Sequence, residues 1–247
     1  MLWKKLWQPE VVLMLIGGIV LAFFFVSLAV GVLQHYQITG FQNSYDVGAV
    51  LAATLSFHGA VIIAAGLFLK FHAFDWREVL GLNNDRWKRS LLLAGGVLLL
   101  MLPVMLGLKY VSEITFEKMG WPTENQKAVE LFANVKSVGL KIYLGIFAVV
   151  LAPIAEEFVF RGLLFSAAKK MGWPWLAWVG VSLLFALIHL NGPTFLPLFA
   201  FALALTWLYQ KTEGLLAPIV VHSAFNAANV ILLLLADEFA RQLPNQS

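Results

Sequence analysis

Three short patterns carry the residue types that could do chemistry. Glu156, Glu157 and Arg161 fall within six residues of one another, inside an apolar run covering residues 142–168. Phe185 and His189 stand four apart, as do His222 and Asn226, and Asn229 follows one turn later. Ionisable groups at membrane depth cost several kcal/mol unless they are paired or solvated. Helical residues four apart share a face, so Glu157 and Arg161 can pair. Glu156 is rotated about 100° from Glu157 and should face elsewhere, into a bundle. His189 ends its apolar run beside Gly192 and Pro193, while Ser223, Ala224, Ala227 and Ala228 around His222 would let another helix approach closely. His58 lies alone in the second apolar run and reads as packing filler, as does Asn229.

A carboxylate, two imidazoles and an amide drawn from three helices suit water-dependent acyl chemistry. In a low-dielectric cavity a carboxylate is a stronger base than in water. A neighbouring imidazole can share the water and its proton, and His and Asn donors can hold the oxyanion. No activated nucleophile competes: cysteine is absent. Ser223 adjoins His222, but adjacent helical residues do not face each other. The same set could bind zinc through Glu156, His189 and His222, with the fourth position open for water. No His-Glu-x-x-His helix is present, and Asn226 suits an oxyanion better than a metal, so the metal-free reading is preferred. The bland reading of Glu157 and Arg161 is a buried ion pair that only holds helices together.

The elements that must position these groups are transmembrane helices. Of 247 residues, 60% are hydrophobic and 13% charged, against roughly 25% charged in soluble domains. Twenty Phe and nine Trp fit a lipid-facing surface with aromatic belts. The expected fold is all-α, a polytopic bundle of about seven to eight spans around a water-accessible cavity. Spans are predicted at residues 11–33, 47–69, 91–110 (kinked at Pro103), 141–168, 175–190, 194–209 and 215–235, each near the roughly 20 residues that cross the hydrocarbon core. Residues 71–84 read as an interfacial segment, and 111–140 as a solvated loop with one short helix at 125–135 or, less simply, as a substrate lid. The organisation is thus an N-terminal part, 1–140, a core carrying the motifs, 141–236, and a polar tail, 237–247. Lys4 and Lys5 precede an apolar run too long for a cleavable signal, so a retained first helix is expected. Lys and Arg divide ten to six in favour of a cytoplasmic N-terminus. The net charge of +3 comes with no basic stripe interleaved with aromatics, so nucleic acid is not an expected partner.

The motifs Glu-Glu-x-x-x-Arg at 156–161, Phe-x-x-x-His at 185–189 and His-x-x-x-Asn at 222–226 resemble those of the CAAX protease and bacteriocin-processing (CPBP, Abi) intramembrane endopeptidases. That family includes the Ras-converting enzymes. The resemblance implies that Glu156 and His189 activate water, that His222 and Asn226 stabilise the oxyanion, and that Glu157, Arg161 and Phe185 support them. It leaves open a zinc-dependent or a glutamate-dependent mechanism. The expected partners are the bilayer and a membrane-associated peptide or protein, of prenylated-tail or leader-peptide type. The alternative within the family is a non-catalytic scaffold or bacteriocin-immunity protein. An ion or proton path of a transporter is the third reading, against which stands the lack of paired broken helices in an inverted repeat.

Overall fold

The computed structural model describes residues 9–43, 45–71, 75–82 and 86–242, and all regular structure among them is helical. In lipid a chain must satisfy its backbone polar groups internally, so long apolar runs become helices. Six helices are long and apolar enough to cross a membrane. They are α1 (Pro9–His35), α2 (Val47–Phe71), α4 (Arg86–Lys118), α10 (Gly192–Thr212), α11 (Leu216–Gln242) and the composite helix Val138–Lys170. A seventh, α9 (Pro174–Ile188), has only 15 residues, about 22 Å, short of the roughly 30 Å core. It ends where Asn191 begins to cap α10, its side chain accepting from the Thr194 amide.

One expectation is corrected here. The third apolar run does not end at 110. Its helix continues through Pro103 to Lys118, so 111–118 is helix rather than loop. A Lys109–Glu113 pair at 3.6 Å and a bond from Thr115 Oγ1 to the Val111 carbonyl support that polar extension. The short helix expected beyond it is α5 (Lys127–Asn134). The connection before α5 is tied to the start of α10, with Gln126 Nε2 donating to Thr194 Oγ1 at 2.8 Å and Asn191 Nδ2 donating to the Glu124 carbonyl at 2.9 Å.

The segment 71–84 also packs against the bundle. Its described part holds α3 (Trp76–Leu80), capped by Asp75, with Val79 buried. The Val79 carbonyl accepts from the Leu215 amide at 3.1 Å, pinning α3 to the α10–α11 turn. Gly214 permits this approach: a Cβ there would stand 2.5 Å from Leu80 O and 2.6 Å from Gly81 Cα. Backbone on both sides cannot yield as a flexible side chain would. Gly214→Ala should therefore destabilise the protein by about 1–3 kcal/mol, read as a melting temperature lowered by several degrees in detergent. Lys4, Lys5, Asn84 and the last five residues of the tail lie outside the described residues.

The composite helix positions the chemistry. It runs α6 (Val138–Ile146), a π-helical segment (Phe147–Leu151), α7 (Ala152–Glu157), a second π-helical segment (Phe158–Phe165) and α8 (Ser166–Lys170). Pro153 lacks an N–H, which removes one regular helical bond just after the first wide turn. In the second, the Ser166 hydroxyl donates to the Arg161 carbonyl at 2.9 Å, five residues back. Such wide turns are frequent at functional sites. Here they flank the one short α-helical stretch that carries Glu156 and Glu157.

Candidate active site

Glu157 and Arg161 lie on one face of the composite helix and are fully buried. Arg161 Nη1 donates to Glu157 Oε1 at 2.8 Å, Nη2 to the Ala202 carbonyl at 3.1 Å, and Nε to Thr206 Oγ1 at 3.3 Å. The guanidinium carbon also sits over the Phe185 ring, 4.9 Å from its centroid. Glu157 Oε1 accepts a second bond, from His222 Nδ1 at 2.8 Å, while Oε2 has no hydrogen-bond partner among the described residues. The pair thus orients an imidazole on α11 as well as joining helices.

Glu156 points away from this pair. Its side chain keeps 16% exposure, against none for Glu157. Its Oε1 lies 3.4 Å from His58 Nε2 and its Oε2 lies 3.8 Å from His222 Nε2. His189, half-buried at the end of α9, donates from Nδ1 to the Phe185 carbonyl at 2.7 Å. Phe185 is central: its ring is 4.8 Å from that of His189 and 5.9 Å from that of His222. Asn226 lies one turn beyond His222 and donates from Nδ2 to the Ala148 carbonyl, in the first π-helical segment, at 2.8 Å.

The structure therefore gathers Glu156, Glu157, Arg161, Phe185 and His222 into one cluster, with the His189 ring tilted against Phe185. Asn226 spends one amide proton on Ala148 and retains the other. His58, read from the sequence as filler, is instead the hydrogen-bonding neighbour of Glu156. No local signal reveals it, because it sits 98 residues away on another helix.

The tautomers follow from the partners. His189 and His222 each face an oxygen acceptor through Nδ1, so Nδ1 carries the proton and Nε2 is left for chemistry. Zinc would need three donors converging to within about 2.0–2.2 Å of one point. Among the described residues no three His, Asp or Glu groups are placed to hold a metal ion. As placed, the residues do not fit zinc, and no step below runs through it.

Spanning-length helices carrying a buried polar cluster define a helical membrane protein. Residues 138–228 match the family model described as "Type II CAAX prenyl endopeptidase Rce1-like". All three motifs fall inside that match, and over it the resemblance read from them holds. Over residues 138–228 the chain is similar to that family, and the protein is an integral, multi-pass membrane protein. Over 96 residues the chain is 29% identical to the UPF0177 protein YxdF of Lactococcus lactis subsp. lactis (strain IL1403), covering 38% of this chain and 52% of that protein. The chain thus spans about half the length of this curated relative. No solved structure matches it.

Proposed function

We propose that the protein is an intramembrane endopeptidase that hydrolyses a peptide bond of a membrane-associated substrate, of prenylated-tail or leader-peptide type. One observation carries the reading. Glu156, alone of the two adjacent carboxylates, stands outside the arginine pair, half-buried, with an imidazole Nε2 facing each of its oxygens.

Glu156 takes a proton from water as the water attacks the scissile carbonyl. His189 shares the water through Nε2. Charge developing on the carbonyl oxygen is met by the remaining Asn226 amide proton and by the Nε2–H of His222 in its doubly protonated form, its ring held in place by Glu157. Glu156 then gives its proton to the leaving amine. The N-terminus is read as cytoplasmic.

The test is purified protein acting on fluorogenic peptides, one prenylated at its C-terminus and one of leader type. His189→Ala should lower kcat by about 10²- to 10⁴-fold, the range of general acid–base assistance. Near wild-type turnover in that variant overturns the assignment. A zinc chelator should leave wild-type activity unchanged; loss restored by added zinc would instead require a metal route.

A further inference from the structure

We propose that His58 is the positioning residue of Glu156, a further member of the site contributed by α2 from outside the matched region 138–228. This rests on the reading of Glu156 as the base. The His58 ring is fixed on several sides. It meets the Phe57 and Phe147 rings edge-on at 5.2 and 4.8 Å. Its Nδ1 lies 3.2 Å from the Thr54 carbonyl. Thr54 is itself held, its hydroxyl 2.7 Å from that of Tyr143 on α6. What remains is Nε2, and it faces Glu156 Oε1 at 3.4 Å, the sole hydrogen bond of the Glu156 side chain among the described residues.

Both ring nitrogens of His58 therefore face oxygens. A neutral ring has one N–H and spends it on the Thr54 carbonyl. The contact with Glu156 is then satisfied in two ways only. Either the imidazolium donates to the carboxylate, or the carboxylic acid donates to the bare nitrogen. One proton is shared in both, and the pair carries the same total charge. The local charges agree: Glu156 and Glu157 against Arg161 leave one negative charge, and one protonated imidazole balances it. His58 is the nearer of the two imidazoles, its Nε2 at 3.4 Å from Glu156 against 3.8 Å for that of His222. His58 thus fixes the rotamer of Glu156 and leaves Oε2 turned toward the other groups. Moving the shared proton within the pair leaves its charge unchanged, whereas a proton taken from water raises it by one until the leaving amine receives that proton.

The experiment compares wild type, His58→Phe and His58→Gln in one detergent. Phenylalanine fills the aromatic niche without a donor; glutamine restores an N–H. Melting temperatures should stay within a few degrees of one another. On the fluorogenic prenylated peptide, His58→Phe should lower kcat about 10- to 100-fold, the range of one hydrogen bond to a charged group. KM should stay within about twofold, and His58→Gln should recover at least about a third of the activity. A second readout needs no turnover. A hydrophobic carbodiimide modifies protonated carboxyls, and its labelling of Glu156, read by mass spectrometry, should rise several-fold in His58→Phe and return toward wild type in His58→Gln. If His58→Phe does not fold, His58→Leu replaces it. A phenylalanine variant that matches wild type in both readouts, or a glutamine variant no better than it, overturns the proposal. Wild-type protein inert toward every peptide would count against the protease reading, while the labelling still decides the role of His58.

Discussion

Replacing Glu156 by glutamine should abolish hydrolysis while the protein stays folded. The substitution is nearly isosteric, and the side chain makes no bond to Arg161, whose partners are Glu157, Ala202 and Thr206. The amide can still bond His58 Nε2, through its N–H or its oxygen, so little stability is at stake. An amide cannot take a proton from water, and general-base assistance contributes about 10²- to 10⁴-fold. We expect kcat to fall by about 10³-fold with KM nearly unchanged, because the loss falls in the transition state. Peptide hydrolysis and thermal unfolding of the same preparations check it. Activity within about threefold of wild type would remove Glu156 from the mechanism. A cellular phenotype kept by folded Glu156→Gln protein would favour the scaffold or bacteriocin-immunity reading.

The contrast between Glu156 and Glu157 shows what spacing can and cannot carry. A separation of four puts Arg161 on the face of Glu157, and the pair forms at 2.8 Å. Rotation by one residue turns Glu156 off that face, but what it turns toward depends on packing between helices. α2 supplies His58 from 98 residues away, and no periodicity in α2 marks that residue apart from others lining the helix. The wide turns at Phe147–Leu151 and Phe158–Phe165 were equally hidden, since apart from Arg161 and Gly162 their residues are ordinary apolar ones and only Pro153 hints at a break. Hydropathy located the spans but misplaced the end of α4, because it senses lipid depth and not helix length. Past the bilayer a polar helix such as 111–118 can continue on intrahelical bonds alone. Asn226 shows a further limit: its spacing from His222 suggests a shared face, yet one of its protons goes to the Ala148 carbonyl, a partner exposed by the nonstandard turn.

Arg161→Met should lower stability and activity together, and restoring charge balance should recover only the first. The guanidinium is fully buried, with three hydrogen-bond partners and the face of Phe185 beneath it. Its removal leaves the Glu157 carboxylate in a sealed site without its ionic partner, held by His222 alone, a situation that costs about 3–5 kcal/mol. At about 2–4 °C per kcal/mol for a chain of this size, the melting temperature should fall by roughly 10 °C in detergent. Adding Glu157→Leu removes the stranded charge, and replacing both members of a buried pair by apolar residues of similar volume is often close to neutral. The double variant should therefore melt within a few degrees of wild type. Its hydrolysis should nonetheless stay low, because His222 Nδ1 loses the acceptor that fixes its tautomer and aims Nε2 toward Glu156. Recovered stability with absent turnover separates a pair that orients an imidazole from one that only fastens helices. A single variant melting like wild type would show that the charge pair does not fasten the helices.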